Sequence, residues 1–192
     1  MSDESKSKDS MKNILVVALG VCFVCAVIVS GAAVSMKPQR LENKALDRSK
    51  NILIAAGLFE KGVTPDSQID KLFEKFTLRV ADLEEGRFLT DAEVSELGID
   101  PVKYDQRKAS KDPSLSKALS DAEDTASITR RARYSVVYLL KGEQGEVDRI
   151  VLPIHGYGLW STLYGFIALE GDGNTVAGIT FYEHAETAGL GG

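Results

Sequence analysis

From Ile14 to Met36 the chain is apolar or small at every position but two serines, and no charge falls between Lys12 and Lys37. A helix rises about 1.5 Å per residue, and roughly 20 residues cross a bilayer core, so this run is long enough to span one. Gly20 and Gly31 are tolerated in such helices. The competing reading is a secretory signal, with Lys6, Lys8 and Lys12 as its basic region and Ser30, Gly31 and Ala32 as its cleavage site. The apolar run exceeds the ~7–15 residues of a signal core, which favours a retained anchor.

Beyond the anchor the period changes. Ala45, Leu46, Ser49, Ile52, Leu53 and Ala56 recur at helical spacing, with Gly57 where a C-cap glycine belongs and Pro38 at the break from the anchor. Ile69, Leu72, Phe73 and Phe76 form a second helical stripe. Leu78, Val80 and Leu83 then alternate as a strand does. Residues 86 to 127 are polar, with Pro101 and Pro113 among Lys, Asp and Ser, and predict a long excursion with short helices, mobile in part.

From residue 131 the pattern turns to strands. "RARYSVVYLLKG" is β-branched and aromatic, "GEQG" is a turn, and "EVDRIVLPIHGYG" returns as its hairpin partner. "LYGFIALEGDGNTVAGITFYEH" reads as a second hairpin turning at Asp172-Gly173-Asn174, with Ile167 and Leu169 alternating on one arm and Ile179 and Phe181 on the other. Helices followed by an antiparallel meander predict an α+β fold. The expected divisions are a polar tail at 1–12, a transmembrane helix at 13–36, a helical and polar region at 37–130 and a β-rich part at 131–192.

Composition narrows the function. A chain of 192 residues that is 44% hydrophobic and 27% charged supplies one globular domain of middle size. A net charge of −5 with no basic cluster argues against a nucleic-acid partner. The only cysteines, Cys22 and Cys25, lie one helical turn apart inside the apolar run, where two ligands cannot complete a tetrahedral metal site. They read as small packing residues.

Two glycine-bearing stretches interrupt the strands: "HGYGLW", residues 155 to 160, and "EHAETAGLGG", residues 183 to 192. Glycines at a strand end let backbone N–H groups approach a ligand, and such concavities favour anions. Trp160 beside them can stack on a flat ring. A planar anionic cofactor fits this pattern better than hydrolysis, since Ser161 lacks a nucleophile elbow and no Walker A or dinucleotide glycine pattern occurs. His155 and His184, with Glu183 or Glu186, match no metal-ligand spacing. On residues alone, the glycines as plain tight turns also stand.

The chain resembles the C-type subunit of the bacterial Na+-translocating NADH:quinone reductases. The resemblance rests on the single anchor, "ALDRSKNIL", "YDQRKASK", "RRARYSVVYLLK", "LPIHGYGLWSTLYGFIALEGDGNTVAGITFYEH" and "ETAGLGG". It implies a flavin-carrying electron-transfer subunit in a multi-subunit membrane complex, on the periplasmic side of the bacterial inner membrane. It implies FMN as cofactor, with its pocket at Leu159, Trp160, Glu186, Thr187, Leu190 and Gly191. Backbone N–H groups near Gly189 to Gly192 would steady the flavin. Ala188 stands where the family has Pro.

In that family the FMN phosphate is esterified to the threonine of a Ser-Gly-Ala-Thr motif. Residues 1–192 contain none, and Ser30-Gly31-Ala32-Ala33 lacks the hydroxyl. The expectation is therefore that the acceptor lies beyond Gly192, and that the 192 residues by themselves expose apolar surface. The flavin subunit of the related ferredoxin:NAD+ reductase complex is the alternative, as is a membrane-tethered interaction module without cofactor. Flank charges, with Lys37, Arg40, Lys44, Arg48 and Lys50 after the anchor, favour a cytoplasmic domain, against the resemblance.

Overall fold

The computed structural model describes residues 11–142 and 144–189. The chain divides between Ala45 and Leu46 into two compact units. In the first, α1 (Met11–Ser35) is one uninterrupted helix of 25 residues with no buried side chain. It is the one described helix long and apolar enough to cross a membrane. A helix apolar all round, with no protein covering it, is suited to lipid. Met36 alone separates it from α2 (Lys37–Ala55). Pro38 falls within the first turn of α2, where a missing N–H costs least.

The second unit begins inside α2. Its C-terminal end closes as the sequence predicts: Gly57 takes φ +73°, its N–H donates to Ile54 O at 3.0 Å and the Leu58 N–H donates to Leu53 O at 2.8 Å. That pair of bonds is a Schellman cap and satisfies carbonyls the helix would leave open. A single 3-10 turn at Asp66–Gln68 leads into α3 (Ile69–Phe73). The second stripe thus ends sooner than its spacing suggests. Phe76 opens β1 (Phe76–Asp82) instead, opposite Leu140. A ring at that position serves either period, and the sheet takes it. Leu83 lies past the strand.

Six strands form one antiparallel sheet in the order β2-β1-β5-β6-β7-β8. These are β2 (Arg87–Phe88), β5 (Tyr134–Lys141), β6 (Val147–Tyr157), β7 (Thr162–Glu170) and β8 (Val176–Glu183). Both predicted hairpins are present, with β5 pairing β6 and β7 pairing β8. The Asp172 carboxylate accepts from the Asn174 and Thr175 N–H groups, each at 2.8 Å, and so fixes the second turn.

Side chains alternate across a strand, so one sheet face collects Val136, Tyr138, Leu140, Val151, Phe166 and Ala168. Ile52, Leu53 and Ala55 of α2, with Ala56 just after it, join them in one buried cluster. Each fully buried Leu, Ile or Phe side chain there contributes about 1.5–3 kcal/mol. The ring of Tyr138 meets Phe166 edge-on at 6.1 Å, and Phe166 stacks on Tyr182 at 5.4 Å. Gly178 of β8 is where the helix comes closest, since a Cβ there would collide with the Ala55 carbonyl oxygen. Thr180 adds a hydroxyl bond to Asn51 O at 3.2 Å.

The polar excursion is pinned at several points. It carries α4 (Asp91–Glu96), α5 (Gln106–Ala109), and the two-stranded pair β3 (Ser116–Ala118) and β4 (Arg130–Ala132). Thr90 and Glu93 form a reciprocal capping box on α4. Asp105 caps α5. Buried Asp82 accepts from the Glu84 and Glu85 N–H groups and from Arg133 Nε, at 2.9, 3.1 and 2.9 Å. Burial pushes the Asp82 carboxyl up, but the Arg133 bond and the two backbone donors outweigh it and hold it below the usual carboxylate range.

Candidate functional site

The β6–β7 connection is a tight turn at Gly158–Ser161, closed by a Gly158 N–H to Ser161 O bond of 2.7 Å. A glycine at 158 leaves room for two side chains. A Cβ on Gly158 would lie against the Leu163 side chain and 2.6 Å from Glu186 Oε1. The turn lifts Leu159 and Trp160 outward, 75% and 65% exposed. Large apolar side chains held out together are a common mark of a binding surface.

Chain from beyond β8 fastens this turn. Glu186 Oε1 accepts from the Trp160 and Ser161 N–H groups at 3.1 and 3.2 Å. Ser161 Oγ accepts from the Ala185 N–H at 2.7 Å. The two glycine-bearing stretches of the sequence therefore form one corner. Glu186 is half-buried in it, and Thr187 is exposed beside it. Leu190 and Gly191 lie outside the described residues. Sequence reasoning missed Ser161 as a fastening group, because a lone serine after a tryptophan carries no signal of that role.

A second missed residue is Arg107, within the "YDQRKASK" stretch. Its guanidinium binds Glu183 at 2.8 and 3.0 Å and lies 3.6 Å over the Tyr164 ring. Tyr164 in turn stacks on His155, 5.7 Å between centroids at 13°. This stack braces β6, β7 and β8 where they reach the corner. Burial, then the charge of Arg107, pushes the His155 imidazolium down from its ordinary range. His155 thus stands as a packed ring. No group of His, Cys, Asp or Glu able to hold a metal occurs among the described residues.

Comparison with known proteins bears on this corner. A family model described as an FMN-binding domain matches residues 158–192, the span that begins at the turn. The C-type subunit of the Na(+)-translocating NADH-quinone reductase of Pseudomonas aeruginosa is 51% identical over 187 residues, covering 97% of this chain and 68% of its own length. The corresponding protein of Yersinia pestis is 40% identical over 191 residues, covering 69% of its own length. Among solved structures, Shewanella oneidensis NqrC superposes with a TM-score of 0.63 at 30% identity, over 77% of this chain and 63% of that one.

Proposed function

The chain belongs to the NqrC family, the C-type subunits of the Na+-translocating NADH-quinone reductases, and on that footing we propose that it is the flavin-carrying electron-transfer subunit of such a complex. The observation that carries this reading is the corner itself: the FMN-binding match opens at Gly158, and Glu186 clamps the same turn. The alternative complex, with ferredoxin as donor, is not favoured by relatives that carry the quinone-reductase name.

The residues present fit one wall of a flavin site. Leu159 and Trp160 offer apolar and aromatic surface for a flat ring, and the exposed Thr187 hydroxyl offers a donor. FMN when bound supplies the redox chemistry, accepting and passing electrons one or two at a time. The chain's own work is placement. Trp160 and Leu159 keep water from one side of the ring. Glu186 holds their turn through two backbone N–H groups, so the turn keeps its shape without a ligand. No side chain has to move a proton. The pocket residues are Leu159, Trp160, Glu186 and Thr187, with Leu190 and Gly191 completing the motif.

Finer features belong to the same proposal. α1 anchors the domain in the bacterial inner membrane, with the sheet on the periplasmic side and the partner subunits of the complex beside it. Attachment of the flavin through a threonyl ester, which the family resemblance implies, takes a Ser-Gly-Ala-Thr motif that residues 1–192 do not contain.

FMN titrated into the detergent-solubilised chain, followed by quenching of flavin fluorescence, tests the site. Saturable quenching that weakens in Trp160→Ala is expected. A linear response, identical in the variant, removes the proposal. An Asn174→Cys variant labelled with an impermeant maleimide in spheroplasts tests the orientation: labelling from outside supports a periplasmic domain, and protection until lysis overturns it.

A further inference from the structure

A cavity of about 370 Å3 lies in the second unit, walled by α5, the segment 127–130 and the adjoining parts of β6 and β7. That volume is within the ~300–1,000 Å3 of small-molecule sites. None of Leu159, Trp160, Glu186 or Thr187 lines it. It is therefore separate from the proposed flavin corner.

Its walls are cationic in excess. Arg48, Lys111 and Arg130 face it with no ion pair among the described residues. A fourth cation on the wall, Arg107, is matched by Glu183. The one carboxylate among the lining residues, Asp105, is taken by Lys108 and by the backbone of α5. Arg48 donates to Tyr138 Oη at 2.9 Å and to Tyr104 O at 3.4 Å, and its buried Nε has no acceptor among the described residues.

The segment that carries Arg130 is strained. Ser127 and Thr129 adopt φ of 52° and 60°, a region that non-glycine residues, and β-branched ones above all, seldom enter. Asp124 ties down this segment, its carboxylate accepting from the Ile128 and Thr129 N–H groups at 2.8 and 2.7 Å and its carbonyl from the Ser127 N–H at 3.2 Å. Such strain clusters at ligand sites. His155, Tyr164 and Tyr182 also line it and supply rings.

We infer that this cavity is a second ligand site, for a small aromatic oxyanion whose carboxylate or phosphate meets Arg48, Lys111 and Arg130 while its ring lies against the aromatic side. An oxyanion there meets the excess positive charge of Arg48, Lys111 and Arg130 with charge-assisted bonds. The site does not rest on the flavin reading.

The two histidines report the test separately, because His155 lines the cavity and His184 follows the last residue of β8, outside it. Phenyl phosphate and benzoate, added to the detergent-solubilised chain and followed by imidazole NMR signals, should each move His155 saturably and leave His184 in place. The tighter of the two identifies the head group. Lys111→Gln, at an exposed position, should weaken binding about three- to tenfold, and Arg130→Gln by a similar factor. No saturable movement of His155 up to about 50 mM of either probe overturns the inference. So does binding unchanged in both variants. An FMN titration that moves His155 also overturns it, since the cavity is then part of the flavin site.

Discussion

The Glu186 carboxylate accepts hydrogen bonds from the backbone of Trp160, at 3.1 Å, and of its neighbour Ser161. One side chain thereby sets the shape of a turn that belongs to a different hairpin. Bonds to a charged acceptor contribute about 1.5–3 kcal/mol each, and one such loss is worth about tenfold or more in an equilibrium. Glu186→Ala should weaken FMN binding by about that factor. Glu186→Gln keeps an acceptor oxygen and should lose less. Fluorescence titration of both variants checks the order, and equal affinities in wild type and Glu186→Ala would contradict the role.

Gly178 and Gly173 are separated by cause. A methyl at 178 meets the Ala55 carbonyl, whereas Gly173 has open space and φ +67°. Gly178→Ala should destabilise by about 1–3 kcal/mol through overpacking. Gly173→Ala should cost about 1–2 kcal/mol through backbone conformation alone. Thermal unfolding gives both values.

Asp82→Ala removes the acceptor for two backbone N–H groups and for Arg133 at one stroke. The expected loss is about 1–3 kcal/mol in urea unfolding. Asp82→Asn, which keeps one acceptor oxygen, should fall between wild type and alanine.

Acid stability should report His155. Its folded pKa lies below the ordinary value of 6.5, so the unfolded chain takes up the proton first as pH falls. The unfolded state then binds more protons, and stability drops as pH goes down through about 6.5 towards the folded pKa. Above that window the neutral ring carries no such penalty. His155→Gln should flatten this part of the pH–stability curve, and an unaltered slope would show that other groups set it.

Periodicity read the framework well because its causes are local. α1, the Gly57 cap and both hairpins follow from runs, turns and glycine placement within a few residues. The stripe through Phe76 was misleading because a ring at a boundary serves a helix or a strand, and Leu140 across the sheet decided it. The excursion looked featureless because what orders it is distant: Arg133 on Asp82, and Arg107 on Glu183 across 76 positions. The corner was half legible. Both glycine stretches stood out, but only the β6–β7–β8 register brings Glu186 to Trp160.

The strand order also bears on how the chain comes together. β5 through β8 each pair with their neighbour in sequence, while β1, apart from its short pairing with β2, must wait for β5, which follows it by the whole excursion. Loop closure is fastest for near neighbours. The meander can therefore zip up by itself, with the end of α2 and then β1 settling onto it. On a ribosome the segments made early are thus among the last to find their places, and Ile52 and Leu53 stay uncovered until the late strands emerge.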